Sequence, residues 1–248
     1  MERVLVFGAT SAIAAEVCAL HAKRGDRLFL VGRNAEKLAA VVARVGADHR
    51  VADLAQLDRN GALVADAIAT LGGVDRVLIA HGALGDQLAT ERDVHAALDL
   101  ITANFTSVVS LLVPLANEME RAGERRLDAG RIGVITSVAG DRGRPRNYTY
   151  GAAKGALNVY LQGLRTRLYP AGVAVTTLKL GPVDTPMTAS HRKHALFGKP
   201  EDVAKDIVAA MDERAAEVYV PKVWRLIMPI VRSTPEALFQ KLSFLSGR

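Results

Sequence analysis

Residues 3–13, RVLVFGATSAI, decide the fold of this 248-residue chain. Arg3–Phe7 is short, apolar and stopped by Gly8, which is typical of a strand buried on both faces of a parallel sheet. After Ala9–Ala12 the apolar residues recur at helical spacing. A strand, a tight glycine turn and a helix N-terminus together bind a pyrophosphate on free backbone N–H groups. The alternative is an ordinary strand-to-helix turn that needs glycine only for its dihedral angles.

The remaining sequence repeats this alternation of strand and helix. Six more strands are predicted, at Arg27–Val31, Arg50–Ala52, Val74–Ala80, Arg131–Thr136, Val173–Leu180 and Glu217–Val220. Alternating strands and helices predict an α/β fold, a doubly wound and mostly parallel sheet of seven strands. Because no linker, repeat or low-complexity segment interrupts it, we expect one domain over residues 1–248. Within the long helical region from about Thr90 to Arg121, Pro114 is expected to introduce a kink.

Two segments differ from this pattern. Residues 188–199 are polar and basic, and we expect them to form a lid over the site. Residues 222–248 form an apolar, basic tail that Pro229 and Pro235 are expected to break into pieces too short to span a bilayer. Such a tail can lie at a membrane interface, close over an apolar substrate, or pack on its own domain or on a partner subunit.

Composition narrows the functional classes. The single cysteine, Cys18, permits no internal disulfide, and the apolar run that ends at Gly8 is too short for a signal peptide or a membrane span. We therefore expect a cytoplasmic protein. The net charge of +6 comes from scattered basic residues, which does not indicate a nucleic-acid-binding module. A basic surface also suits phosphorylated substrates or the anionic inner face of the membrane.

The chemistry is expected in the stretch that contains Ser137, Tyr150 and Lys154. Tyr150 and Lys154 are four residues apart and so share one face of a helix. That face continues through four leucines, which predicts that both side chains point into the protein: Leu157, Leu161, Leu164 and Leu168. An inward lysine is costly unless it has a partner or a task. A cationic lysine lowers the pKa of a neighbouring phenol, so we expect Lys154 to prepare Tyr150 as a general acid.

Other polar residues follow the predicted strands, where an open parallel sheet binds its ligand. Arg33 stands where an acid would select NAD, and its guanidinium suits a 2′-phosphate, so NADP(H) is favoured and NAD(H) is the alternative. Arg33 is otherwise a solvated residue at a helix start. Asp53 is placed either to accept from an adenine amino group or to cap the next helix. Gly82 lies where the backbone must pass close to a cofactor, and we assign no chemistry to His81.

The chain resembles the short-chain dehydrogenase/reductase family over nearly its whole length. The resemblance lies in the glycine turn, Asp53, Asn104, Ser137, Tyr150-x-x-x-Lys154 and the Gly181-Pro182-x-x-Thr185 loop, in that order. It implies a Rossmann fold, a bound NAD(H) or NADP(H), carbonyl–alcohol redox chemistry and a homodimer or homotetramer. It implies no metal site. Ala12 and Ala14 stand where the family usually has glycines, and their extra methyl groups could weaken the pyrophosphate contact.

Residue roles also follow from the resemblance. Tyr150 would be the acid–base, Lys154 would lower its pKa and bind the nicotinamide ribose, and Ser137 would donate to the substrate oxygen. Asn104 would hold a water that links Lys154 to solvent, although an asparagine in a buried helix often only satisfies a nearby carbonyl. Besides Tyr150 and Lys154, the implied cofactor-binding residues are Gly8, Thr10, Ser11, Ala12, Ile13, Arg33, Asp53, Leu54, Ala80, Gly82, Gly181, Val183 and Thr185.

The substrate is suggested by two basic segments. Residues 142–146 carry three arginines in five positions beside the expected site, and residues 222–248 are apolar and basic. Within the family, both segments resemble those of reductases that act on a lipid-phosphate-linked keto sugar. We therefore expect NAD(P)(H)-dependent reduction of a ketone, or oxidation of a secondary alcohol, on a hydrophobic or lipid-phosphate-linked substrate. The alternatives are a non-enzymatic dinucleotide-binding regulatory protein and an enzyme for a small soluble carbonyl.

Overall fold

The structure, a computed structural model, describes residues 1–123, 130–189, 193 and 195–242. Its strands are β1 (Arg3–Phe7), β2 (Arg27–Gly32), β3 (Asp48–Val51), β4 (Arg76–Ile79), β5 (Gly130–Ser137), β6 (Val173–Leu180) and β7 (Glu217–Val220). They form one sheet in the order β3-β2-β1-β4-β5-β6-β7, and every pair is parallel. The predicted α/β fold with seven strands is confirmed, and the sheet is parallel throughout.

The helices connect these strands. They are α1 (Ala12–Lys23), α2 (Ala35–Val45), α3 (Leu57–Leu71), α4 (Gln87–Thr90), α5 (Val94–Ile101), α6 (Ser107–Gly123), α7 (Tyr148–Leu168), α8 (Pro200–Asp212), α9 (Trp224–Ser233) and α10 (Glu236–Phe239). Local signals set several of their ends. Ser11 and Asn34 cap α1 and α2 by accepting from N–H groups of the first turn, and Gly46 ends α2 in the left-handed conformation.

The two faces of the sheet are covered by two hydrophobic cores. Leu5 and Phe7 of β1 pack in one core with apolar residues of α3, α6 and α7. Val4 and Val6 pack in the other, with residues of α1, α2 and α8. Successive side chains of a strand point to opposite faces, so a central strand covered on both sides is apolar throughout. This is why Arg3–Phe7 carries no alternation of polar and apolar residues.

Two irregular segments differ from what the sequence predicts. β3 begins at Asp48, two positions earlier than predicted, because it is an edge strand whose four residues are exposed and carry no apolar run. α6 continues through Pro114, so the expected kink there stays a prediction, and a π-helical turn that was not predicted lies at Thr102–Thr106. Such turns are common at functional sites, and this one contains Asn104.

The tail packs on its own domain. Trp224, Met228 and Val231 of α9 join Phe239 and Val138 in a third apolar cluster, which we call the tail cluster. The expectation that Pro229 breaks the tail was wrong, because α9 accommodates it and only Pro235 separates two helices. Residues 243–248 lie outside the described part of the chain.

The expected lid falls only partly within the described residues, since residues 190–192 and 194 lie outside them. Its base is closed by two backbone hydrogen bonds. Asp184 donates to the Gly198 carbonyl at 2.9 Å, and Gly198 donates to the Pro182 carbonyl at 3.0 Å. The lid therefore stays a prediction.

Candidate active site

The sheet gathers the predicted site residues along one edge. They follow the carboxyl ends of β1, β2, β3, β4, β5 and β6 or lie on the helices beside them. The strand order reverses between β1 and β4, where Gly8 lies against the backbone of Ala80 and His81. Open parallel sheets bind their ligands in the crevice at such a switch point.

The turn after β1 has the geometry of a phosphate cradle. Gly8 adopts φ +79°, and a Cβ there would lie 2.6 Å from the backbone nitrogen of His81, so only glycine fits. Ser11 caps α1, and the N–H groups of Ala12 and Ile13 in its first turn have no acceptor within the helix. These free donors at a helix N-terminus fit the pyrophosphate of a dinucleotide.

The two alanines that replace family glycines are accommodated differently. Ala14 is fully buried in the core, so its methyl group does not enter the crevice. Ala12 is half-buried at the turn itself. Gly32, at the end of β2, lies against Thr10, whose Cγ2 would be 2.8 Å from a Cβ at that glycine. The phosphate turn and the end of β2 are therefore in direct contact.

The part of the crevice expected to hold the adenosine has fewer side chains arranged for a cofactor than the phosphate turn has. Arg33 is exposed and makes no hydrogen bond or ion pair with the described residues. Asp53 accepts from the backbone nitrogen of Ala55 at 3.2 Å, so one of its carboxylate oxygens stabilises the turn before α3. Leu54 is buried in the core, which leaves only its backbone for a cofactor contact.

Three glycines bring the catalytic candidates together. A Cβ on Gly140 would lie 2.7 Å from the backbone nitrogen of Gly155, and one on Gly151 would lie 2.8 Å from a carbonyl oxygen of the turn after β5. Only glycines permit this contact between the turn and α7. It places Ser137, at the end of β5, in hydrogen-bonding reach of Tyr150. The Ser137 hydroxyl also donates to the Leu180 carbonyl at 3.3 Å.

The electrostatics of Tyr150 differ from expectation. Burial raises the pKa of Tyr150, and the hydrogen bond with Ser137 only partly opposes it. Lys154 Nζ lies 5.8 Å from the Tyr150 ring centroid and donates to the Ile135 carbonyl at 3.2 Å. Burial lowers the pKa of Lys154 to about 8. The net shift of the Tyr150 pKa in this structure is therefore upward, because the desolvation of the phenol outweighs its hydrogen bond, and the lowering by Lys154 stays a prediction.

Asn104 makes the carbonyl contacts that we considered as the alternative. Its Nδ2 donates to the carbonyls of Ala83 at 2.8 Å and Leu100 at 2.9 Å, and its Oδ1 accepts from the Ala83 nitrogen at 3.2 Å. A Cβ on Gly82 would lie 2.7 Å from this Oδ1 and 3.3 Å from Lys154 Nζ. Asn104 thus ties the loop after β4 beside Lys154, and its role in holding a water stays a prediction.

His81 is a buried structural residue. Its Nε2 is 2.9 Å from the hydroxyl of Ser107, and burial lowers its pKa to about 3, with the charge of Lys154 acting in the same direction. The imidazole is therefore neutral at physiological pH. The sequence does not predict this pairing, because Ser107 lies 26 residues further along the chain, at the start of α6.

The loop after β6 meets the tail. A Cβ on Gly181 would collide with the indole of Trp224, so this glycine is required by the packing of α9 as well as being a cofactor candidate. Val183 is buried and pairs with Gly198 in an isolated bridge. Thr185 begins the next turn. The position of Trp224 beside the site was not predicted, because the sequence shows only that it is an aromatic residue in a basic tail.

The arginines between Ser137 and Tyr150 do not act as one group. The expectation that they face the substrate was wrong for Arg142, which binds the tail instead. Arg142 lies 4.0 Å over the Phe239 ring, pairs with the Glu236 carboxylate at 2.7 Å, and donates to the carbonyls of Val231, Arg232 and Thr234. Arg146 is exposed. Arg144 lies between them and is considered below.

Comparison with known proteins places this arrangement in a family. The family model for short chain dehydrogenases matches residues 2–196. An uncharacterized oxidoreductase of Mycobacterium tuberculosis is 32% identical over 245 residues, 96% of each chain. One from Streptomyces coelicolor is 31% identical over 244 residues, 96% of this chain and 95% of its own.

A solved structure is also similar. An actinorhodin polyketide ketoreductase with NADPH superposes with a TM-score of 0.77 and 25% identity, covering 88% of this chain and 95% of its own. The match of the family model over most of the chain and the shared fold agree. The chain belongs to the short-chain dehydrogenase family and is an NAD(P)-dependent oxidoreductase.

Proposed function

We propose that this oxidoreductase uses NADPH to reduce a ketone on a hydrophobic substrate, with Tyr150 as the proton donor. The observation that carries the proposal is that Ser137 lies within reach of Tyr150 beside the buried Lys154. The nicotinamide supplies the hydride. Tyr150, whose pKa burial raises, is a protonated phenol at neutral pH and so is ready to donate to the carbonyl oxygen. Ser137 would orient that oxygen.

The choice of NADPH rests on the end of β2. Arg33 is exposed there and is free of ion pairs with the described residues, and no acid stands beside it. A guanidinium favours a 2′-phosphate, and an acid would favour the free ribose hydroxyl of NAD. The similar ketoreductase structure contains NADPH, which agrees with this choice.

The hydrophobic character of the substrate is inferred from the tail cluster. Val138 directly follows Ser137 and packs with Trp224, Met228 and Phe239. The wall on this side of Ser137 is therefore backed by buried apolar side chains. The proposed substrate is an apolar molecule carrying a keto-sugar-like carbonyl, and a lipid phosphate is the specific form that we favour. An enzyme for a small soluble carbonyl is the alternative, since it would need no such wall.

We also infer that copies of the chain pair in the cytoplasm through α5, α6 and α7. Val94, Leu98, Val113 and Val159 on these helices are each about half or more exposed. Val94–Gly123 has the length and composition of a membrane-crossing helix, but a third of its most apolar window is buried inside the molecule. A partner subunit would cover the exposed apolar residues without a membrane.

Replacing Tyr150 with phenylalanine tests the proposed chemistry. Tyr150→Phe keeps the ring and removes the acidic hydroxyl, so we expect turnover to fall by at least about 100-fold. Turnover is measured by NADPH absorbance on a panel of ketones that includes long-chain and sugar-derived carbonyls. NADPH binding, measured by fluorescence titration, should be unchanged.

The matched control is Tyr169→Phe, a hydroxyl deletion at an exposed position at the end of the same helix. This variant should retain wild-type turnover. If Tyr150→Phe keeps most of its activity, Tyr150 is not the acid. If the wild-type protein binds NADPH and reduces no ketone on the panel, the non-enzymatic regulatory alternative gains support.

A further inference from the structure

A small cavity lies beside the start of α7. It has a volume of about 270 Å³ and is lined by Gly143, Arg144, Pro145, Tyr148, Glu236, Phe239 and Gln240. Its walls come from the segment between Ser137 and Tyr150, from the first turn of α7 and from α10. The cavity is therefore close in the chain to the catalytic candidates but is formed by residues that the proposed hydride chemistry does not use.

Arg144 is the unusual residue in this cavity. Its Nε is buried and has no hydrogen-bond partner among the described residues, and its one polar contact with them is a weak one, 4.0 Å from Nη2 to the sulfur of Met228. Burial lowers the pKa of this guanidinium, and no acid counters that effect. A guanidinium has five N–H donors, so most of those of Arg144 have no acceptor among the described residues. Burying such a group without a partner is costly.

The contrast with the neighbouring arginines is informative. Arg142, two positions earlier, uses its donors on carbonyls of the tail and on the Glu236 carboxylate. Arg146, two positions later, is exposed to solvent. Of the three, Arg144 alone is both partly buried and without an anion in the described structure. Arg144 therefore has N–H donors available for a ligand in the cavity.

The other cavity residues favour an anion with an apolar body. Tyr148 and Gln240 add a hydroxyl and an amide, and Phe239 and Pro145 provide apolar surface. Among the described lining residues, Glu236 is the one acid. Its two carboxylate oxygens already accept from Arg142 at 2.7 Å and from Gln240 at 3.2 Å, so its charge is largely satisfied.

We propose that Arg144 binds a carboxylate or phosphate on the substrate, at a subsite between α7 and α10 and away from the reacting carbonyl. The proposal rests on the proposed reductase function and names the class of substrate for that site, an amphiphilic anion. Arg144 is then a specificity-determining residue. It would form the paired, charge-assisted hydrogen bonds for which a planar guanidinium is suited.

Calorimetric titration of the full-length protein saturated with NADPH tests this subsite. The probes are n-octyl phosphate, octanoate and octanol, which share a chain and differ in the head group. We expect the wild type to bind at least one anion about tenfold or more tightly than octanol, and Arg144→Gln to lose that difference. The tighter of the two anions identifies the group as phosphate or carboxylate.

Arg146→Gln is the matched control, because it removes the same charge from the same segment, and it should bind like the wild type. Arg144→Lys keeps the charge and should bind the anion more weakly than the wild type, since ammonium cannot form the paired contact. Equal anion affinity in the wild type and Arg144→Gln, or no preference for the anions, overturns the inference. Failure of the wild-type protein to bind NADPH would instead contradict the proposed reductase function.

Discussion

Two buried lysines show how a single residue acquires its chemistry. Burial lowers the pKa of Lys154 to about 8, because a backbone carbonyl is its one hydrogen-bond partner among the described residues. Burial acts in the same direction on Lys179, but hydrogen bonds and charges from Asp141 and Glu217 outweigh it and raise the pKa. Lys154 is thus held at a cost to stability, as expected of a functional group, and Lys179 is part of the framework.

Replacing Lys154 with methionine should stabilise the protein at neutral pH. The folded pKa of about 8 lies below the unfolded value of about 10.4, so the penalty is fully present below pH 8 and shrinks as the pH rises toward 10.4. We expect Lys154→Met to raise the free energy of unfolding by about 1–3 kcal/mol at pH 7, with a smaller gain at pH 10. Denaturant unfolding at both pH values measures this.

Lys179→Met is the control for that experiment. It leaves the Asp141 carboxylate, 3% exposed, without its cation, although Tyr219 still donates to it. The loss of stability should be about 3–5 kcal/mol. If both variants lose stability to the same extent, the distinction between the two lysines is wrong.

At the scale of single elements, some helix boundaries are set by neighbouring residues and others by distant contacts. The bounds of α2 follow from local signals, because the Asn34 side chain caps its start and Gly46 ends it in the left-handed conformation. The π-helical turn at Thr102–Thr106 was not predicted, since it accompanies hydrogen bonds from Asn104 to the distant loop at Ala83. An element whose ends are fixed by neighbours in the chain can be predicted, and one shaped by a distant partner cannot.

The end of β2 decides the expected cofactor preference. We expect NADPH to raise the melting temperature more than NADH does at equal concentration, because Arg33 can pair with the 2′-phosphate. Arg33→Gln should bring the two shifts together. Thermal unfolding monitored by dye fluorescence measures them.

Arg50→Gln is the control and should keep the preference, because it removes an exposed arginine of the adjacent strand β3 that is already paired with Asp66 of α3. Equal shifts with NADPH and NADH in the wild type would contradict the role assigned to Arg33.

At the scale of the whole molecule, the tail combines an inward and an outward face. Trp224 and Met228 are buried in the tail cluster, whereas Leu226 and Ile230 are 73% and 66% exposed on the other side of α9. Basic residues flank the exposed pair, and the chain carries a net charge of +6. A basic amphipathic helix of this kind suits the surface of an anionic membrane. Contact with the tail's own domain and contact with lipid are therefore compatible.

Vesicle flotation tests the membrane contact. We expect the wild type to float with vesicles that contain anionic lipid and not with neutral vesicles, and the double variant Leu226→Glu, Ile230→Glu to lose binding. Light scattering should give the same dimer or tetramer mass for both proteins, because the proposed pairing face is on α5, α6 and α7. Equal flotation of the two proteins would contradict the role of α9, and a monomer mass for the wild type would contradict the pairing.

The sequence by itself determined the features that depend on near neighbours. These are the glycine turn after Arg3–Phe7, the alternation that gives the parallel sheet, and the face shared by Tyr150 and Lys154. Tertiary structure alone decided which groups are desolvated and which are paired. Arg142 and Arg144 look equivalent in the chain, yet one binds a tail some 90 residues away and the other has no anion among the described residues. The pKa of Tyr150 is likewise raised by burial, a property of the packed fold rather than of its sequence neighbours.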